Sequence, residues 1–327
     1  MNKIKLLKFI DKMIGRTLIF LLPKKNAAQE GVYEKILTIL FIRPGGIGDA
    51  VLLFPALTQL RKKFPDVHID ILCEKRNADI FSLSKNIRRV YLYDKGRDLF
   101  RILRNKYDVV IDTEQWHRLS AVVAYLTRAP IRIGFATNER QNMFTHKIPY
   151  SHDDYEVYSF FHLIEPLIGT GIEFNVNKPF LDITGDIPSS ILTWFKEREG
   201  RIVALFPGAS VKERRWGGNR YGEVGRILGE KGYAIVILGS MKEREDAEEI
   251  KTCVVDHLDL TGKIPLCDVP SVLRRCRVLI TADSGLLHIA YAVGTPTVSL
   301  FGSGIEKKWA PQGYDHMIIN KHLSCSP

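Results

Sequence analysis

Along this chain, short aliphatic runs alternate with longer stretches whose apolar residues recur at helical spacing. ILTILFIR (36–43) is dominated by aliphatic and β-branched residues and stops at PGGIGD, which predicts a buried strand broken by a turn. DAVLLFPALTQLRKKF (49–64) then reads as one helix, VHIDILC (67–73) as the next strand, and residues near 77–85 as a second helix. RRVYLY, a helix near 98–106, DVVID (108–112), a helix near 119–128 and the short strand IRIGF continue the alternation. The part from 135 to 180 is less regular and holds the helix-like EVYSFFHLIEPLIG.

Beyond DITGDIPSS, whose composition is that of a turn, the alternation restarts. RIVALFPG (201–208), YAIVILGS, HLDLTG and RVLITAD read as strands, separated by the helical patterns NRYGEVGRILGEKG, KEREDAEEIKTC and DVPSVLRRC. TADSGLLHIAYAVGTPTVSLFG (281–302) closes the series with a turn, a helix and another strand. Strand–helix alternation of this kind predicts α/β architecture with doubly wound parallel sheets. The length of 327 residues suits about two such domains. The expected division is a basic N-terminal helix over 1–30, a first domain over 31–185 and a second over 186–327, with ligands received in a cleft between the two.

Composition adds only a little. The apolar share of 45% and charged share of 26% are those of an ordinary globular protein, without a low-complexity tract. Five cysteines, odd in number and without close-paired spacing, read as reduced thiols of a cytosolic protein. The net charge of +10 favours an anionic partner: nucleic acid, a membrane surface or a phosphorylated substrate. No apolar run reaches eighteen residues. In KIKLLKFIDKMIGRTLIFLLPKK, however, Lys5, Lys8, Lys12 and Arg16 recur at helical spacing, with Leu6, Leu7, Ile10, Met13, Ile14 and Leu18 largely opposite them. Such a helix suits either an anionic leaflet or packing against the body of the protein. It lacks the compact apolar core and cleavage site of a secretory signal.

Three turns could carry chemistry. In the last, Asp283, Ser284 and Gly285 open a helix on which His288 follows, so free amides, a hydroxyl and the helix dipole would favour a phosphate there. Asp or Ser acting simply as a helix cap explains the same residues. In FPGASVKERRW (206–216), Pro207, Gly208 and Ser210 form a small turn beside Lys212, Arg214 and Arg215, the cations a diphosphate requires; a solvated basic loop is the alternative, against which Trp216 argues. In RPGGIGDAVL (43–52), Gly45, Gly46 and Gly48 fit neither a dinucleotide fingerprint nor a P-loop. That turn instead places Asp49 at a helix start, where it is either a cap or a carboxylate kept ionised for general-base work. No Asp-x-Asp occurs and the histidines and cysteines have no zinc spacing, so no metal or other cofactor is expected.

GGIGDAVLLFPALTQLRKKFP, FPGAS followed by RRW, and DSGLLHIAYAVGTPTVSLFG resemble, in this order, the bacterial lipopolysaccharide heptosyltransferases of glycosyltransferase family 9. The resemblance runs from about residue 36 to the end. It implies the GT-B fold, two Rossmann-like doubly wound domains facing a cleft, and inverting transfer of heptose from ADP-heptose to a lipid-linked sugar. Asp49 then matches the general base. Ser210, Lys212, Arg214, Asp283, Ser284, Gly285 and His288 form the donor site, and Arg43, Gly46 and Arg132 are expected to meet the acceptor. The implied location is the cytoplasmic surface of the inner membrane, held by the N-terminal helix. Three departures stand out: Arg214 where many members carry lysine, Gly217 in place of a proline, and an end at HLSCSP where relatives continue. A GT-B-like nucleotide-sugar epimerase or hydrolase is the enzyme alternative, and a basic nucleic-acid-binding protein is the alternative of another class, disfavoured by dispersed charge.

Overall fold

The computed structural model describes residues 11–23, 35–181 and 187–324. The chain divides into two compact units, one made of Met1–Gly46 and Leu53–Phe174, the other of Ile47–Leu52 and Asn175–Pro327.

In the first unit, β1 (Thr38–Arg43), β2 (His68–Cys73), β3 (Ile87–Leu92), β4 (Val109–Asp112), β5 (Ile131–Phe135) and β6 (His146–Ile148) form one sheet in the order β3-β2-β1-β4-β5-β6. All its pairings are parallel, with Ile39 opposite both Ile69 and Val109. Helices cover both faces of such a sheet, so its central strands are apolar throughout instead of alternating. Leu40, Ile42, Leu72 and Val110 accordingly pack with Val122, Val123 and Phe144 in one core cluster.

The second unit repeats the plan. β7 (Ile202–Phe206), β8 (Ala234–Ile237), β9 (His257–Asp259), β10 (Val278–Ala282), β11 (Thr297–Leu300) and β12 (His316–Ile319) run in the order β12-β11-β10-β7-β8-β9, again all parallel. In each sheet the first strand lies between the second and the fourth, so successive connections leave it in opposite directions. Ligands of open α/β sheets bind beyond the carboxyl ends of strands at such a reversal.

The pattern 49–64 is two helices and not one. Ile47–Leu52 and Phe54–Lys63 are separated at Leu53, because Pro55 in the first turn of the second helix has no N–H to continue the first. The break also divides them between the two units. β6, with three residues, and the edge strand β12 are too short or too exposed to show a pattern, and Ser189–Lys196 is helical where turn composition dominates the flanking sequence.

The N-terminal helix is described only from Asp11. Lys5, Lys8, Leu6, Leu7 and Ile10 lie outside the described residues. From Asp11 a wide turn (Asp11–Gly15) leads into Arg16–Leu21. Ile19 is buried in the first unit's core, with Leu18 and Leu22 against it. Asp11 accepts the backbone N–H groups of Arg118 and Leu119, both at 2.9 Å, capping the helix Arg118–Leu126. Met13, Ile14, Phe20 and Leu21 face solvent. Among the described residues no helix is long and apolar enough to cross a membrane. Cys73, Cys253 and Cys276 are free thiols, and burial pushes the Cys73 thiol up to about 12.

Candidate active site

The reversal of strand order in the second sheet falls between β7 and β10, whose ends are joined by a hydrogen bond from Thr281 Oγ1 to the Phe206 carbonyl (3.0 Å). The two polar turns found in the sequence leave from these two strand ends. After β7, Gly208 lies against Phe206 and Glu243, where an added Cβ would stand 2.7 Å from each side chain. Arg215 donates to the Ala209 carbonyl (3.1 Å), and Trp216 meets Tyr221 edge to face with ring centres 5.2 Å apart. The basic loop is therefore tied at both ends. Gly217 has φ +98°, which excludes the proline expected there by resemblance, since proline fixes φ near −65°.

After β10, Ser284 caps the helix Gly285–Ala292. Its hydroxyl accepts from the Leu287 N–H and lies 3.1 Å from Thr281 Oγ1. Ser284 thus performs the capping role considered for it, and its hydroxyl already has two partners. Asp283 is buried, and its Oδ2 forms an ion pair with Arg214 Nη1 at 2.8 Å, without the alignment of a hydrogen bond. Arg214 Nε is buried with no hydrogen-bond partner among the described residues. A buried carboxylate repels phosphate, so any influence of Asp283 on an anion would have to pass through the guanidinium it holds. Ser210 and Lys212 are exposed at the rim of the same turn.

The third turn joins these two. Ile47–Leu52 packs against Gly285–Ala292 at two glycines: an added Cβ on Gly285 would stand 2.9 Å from Ile47 Cβ, and one on Gly48 would stand 2.5 Å from His288 Cδ2. Only glycine at 48 lets the imidazole lie against the backbone of the turn carrying Asp49. Gly45, with φ +121°, makes the bend before it, and Gly46 is half-buried as the last residue of its unit segment. Asp49 is in the first turn of its helix and partly exposed. Burial holds the His288 imidazole below its ordinary pKa, and the Arg214 charge adds to this, while Asp283 and Asp49 oppose it. His288 Nδ1 is buried with no hydrogen-bond partner among the described residues. Asp49, Arg214, Asp283, Ser284, Gly285 and His288 all belong to the second unit or to turns leading from its sheet.

Two residues expected to meet the acceptor are buried. Arg132 is buried, donates to the carbonyls of Met143 (2.9 Å) and Ala129, and lies over the Tyr125 ring, so its guanidinium ties β5 to neighbouring loops. Burial lowers its pKa. Arg43 is also buried, donates to the Thr113 carbonyl at 2.8 Å and lies over Phe160, joining the ends of β1 and β4. Neither cation is presented to solvent. In their place the first unit presents a group that the reading of motifs missed. Trp116, just past β4, is 48% exposed and stacks on His152, and Tyr150 stands edge-on to both rings. In the second unit, buried Glu243 beside Gly208 also went unnoticed. The signal for both was position: each follows the carboxyl end of a central strand. Among the described residues, no three His, Cys, Asp or Glu side chains are grouped to hold a metal.

The family model described as glycosyltransferase family 9 (heptosyltransferase) matches residues 97–327. Lipooligosaccharide heptosyltransferase 2 of Haemophilus influenzae is 24% identical over 290 residues, covering 81% of this chain and 83% of that protein. Among solved structures, the Escherichia coli ADP-heptose lps heptosyltransferase II superposes with TM-score 0.72 at 20% identity, covering 86% of this chain and 90% of that one. The E. coli heptosyltransferase WaaC with ADP superposes with TM-score 0.69 at 20% identity, covering 87% and 91%. The fold is theirs: two Rossmann-like parallel sheets, the GT-B architecture.

Proposed function

The chain belongs to glycosyltransferase family 9, and from that membership we propose that it transfers heptose, with inversion, from ADP-heptose to the saccharide core of a lipid-linked acceptor. The observation that carries the reading is the gathering, within one unit, of Arg214, the amino end of the helix Gly285–Ala292 and Asp49. A relative solved with ADP and relatives named as heptosyltransferases acting on lipopolysaccharide or lipooligosaccharide supply the substrate classes.

In this reading the Asp49 carboxylate takes the proton of the acceptor hydroxyl as its oxygen bonds to the anomeric carbon from the face opposite the diphosphate. The bond from that carbon to the diphosphate oxygen breaks, and ADP leaves with the electron pair. Arg214, Lys212 and the backbone amides at Ser284 and Gly285 stabilise the charge that develops on it, so these side chains and the helix dipole do the work a metal would otherwise do. Asp283 keeps Arg214 at the strand ends until phosphate oxygens compete for it. The uncharged His288 fills the space over Gly48 and adds no third cation to the pair. Exposed Phe20 and Leu21, with the lysines preceding them in sequence, are assigned to the anionic cytoplasmic surface of the inner membrane.

The test is nucleotide release from a panel of ADP-, UDP- and GDP-sugars, with and without a deacylated lipopolysaccharide core oligosaccharide. Acceptor-dependent ADP release from ADP-heptose is expected. Release of free sugar or of an epimer without acceptor would replace transfer by hydrolysis or epimerisation.

A further inference from the structure

The strand order of the first sheet reverses between β1 and β4, and what leaves β4 there is Thr113-Glu114-Gln115-Trp116. A large apolar ring at 48% exposure is costly unless it has work to do, and this one is held with unusual care. Glu114 Oε1 accepts the backbone N–H groups of Gln115 (3.0 Å) and Trp116 (3.2 Å). Asn138 Nδ2 donates to the Trp116 carbonyl at 3.0 Å, and the Thr137 hydroxyl donates to that of Gln115. His152 lies nearly parallel to the indole, with ring centres 5.7 Å apart and planes 13° apart. Tyr150 buttresses both rings and is itself set against Phe135. Beside the rings, the carboxylate of buried Glu156 accepts from Gln115 Nε2 (2.7 Å) and the Tyr150 hydroxyl (3.2 Å). The side chains are thus fixed before any ligand arrives.

We propose that Trp116 and His152 form an aromatic platform on which one pyranose ring of the saccharide acceptor lies, with the Gln115–Glu156–Tyr150 group fixing the platform. The inference rests on the transferase reading for the identity of the acceptor. Three observations favour a sugar over another occupant. The apolar C–H face of a pyranose matches an exposed ring, and its hydroxyls suit polar groups at the ring's margin. The patch lies where strand order reverses, the ligand position of this sheet type. The adjoining residue, His117, has Nδ1 3.7 Å from Asp11 Oδ2, so the platform is next to the segment carrying exposed Phe20 and Leu21. A glycan attached to lipid needs its binding surface near the membrane-facing end of its enzyme.

The experiment compares wild type with Trp116→Ala, Trp116→Phe and His152→Ala. It reads the Michaelis constants for deacylated core oligosaccharide and for ADP-heptose, together with calorimetric binding of the oligosaccharide without donor. A stacked ring is worth about tenfold in affinity, so Trp116→Ala should raise the acceptor KM and weaken oligosaccharide binding by about that factor. The donor KM and the melting temperature should stay unchanged; Trp116→Phe should recover most of the loss, and His152→Ala should fall between. Unchanged oligosaccharide affinity in Trp116→Ala would overturn the proposal, as would equal losses for acceptor and donor. Loss of a wild-type dimer by sedimentation in Trp116→Ala, with oligosaccharide affinity intact, would reassign the patch to a second copy. If wild type releases no ADP, the transferase reading fails, while the calorimetric comparison still decides the role of Trp116.

Discussion

The two sheets have the same strand order, β3-β2-β1-β4-β5-β6 in one and β9-β8-β7-β10-β11-β12 in the other, yet the ends of their central strands carry different chemistry. Beyond β7 and β10 stand a guanidinium with an unpartnered Nε, a capped helix start and close-packed glycines. Beyond β1 and β4 stand a buried arginine already bonded to Thr113, a buried Glu156 and an exposed tryptophan. One edge sets a partly exposed guanidinium beside a helix start. The other has its arginine buried and offers ring faces. Strand order therefore fixes where a ligand can sit, while the few residues after each strand decide which kind.

This contrast is open to attack at several points. The largest effect is expected from Asp49→Ala: turnover should fall by about a thousandfold, with ADP affinity by calorimetry retained. A variant keeping a tenth of wild-type turnover would remove Asp49 from the role of base. Next is Arg214→Ala, for which the loss of a charge-assisted contact should weaken ADP binding by about thirtyfold. Arg214→Lys should restore part of that, whereas oligosaccharide binding should not respond to either; a matching loss of oligosaccharide affinity would blur the distinction between the two edges. Gly48→Ala drives a methyl group into the His288 ring and should lower stability by about 1–3 kcal/mol in urea denaturation. An unaffected midpoint would mean that the two helices separate easily.

The smallest effect is on pH dependence. The His288 pKa is lowered by folding, so below its ordinary value near 6.5 the unfolded chain takes up a proton that the folded one refuses. Its contribution is whole above that pH and declines as pH falls, by at most about 1.4 kcal/mol per unit. Urea midpoints between pH 7.5 and 5 should show this slope, and His288→Asn should flatten it. An identical slope in the variant would assign the dependence to other groups.

Much of this was legible in the chain. Strands 36–43, 67–73, 108–112 and 201–208 announce themselves because a parallel sheet buries both faces and so selects uninterrupted apolar runs. Asp49, Arg214, Asp283 and His288 could be singled out as candidates because each lies in or just after a glycine-bearing turn at a strand end. Pairwise facts were out of reach. That Asp283 faces Arg214 and not a ligand, or that His288 rests on Gly48, depends on residues 69 and 240 positions apart in the chain. Arg43 and Arg132 show the same limit: charge in a sequence suggests exposure, but both side chains are buried and donate to backbone carbonyls that no local pattern reveals. Trp116 carried no motif, and its meaning emerged only from the position of β4 beside β1.

The proline-induced break after Leu52 has a consequence for dissecting this molecule. Because Ile47–Leu52 is built into the unit that otherwise begins at Asn175, the polypeptide passes between units three times, at 46/47, 52/53 and 174/175. A gene fragment starting at residue 175 would lack the six-residue piece that covers Gly285 and His288, leaving a raw apolar surface where the helix belongs. The halves are thus interleaved by the order of their parts, and expression of the second one by itself should give insoluble material until that short helix is supplied in trans or grafted on.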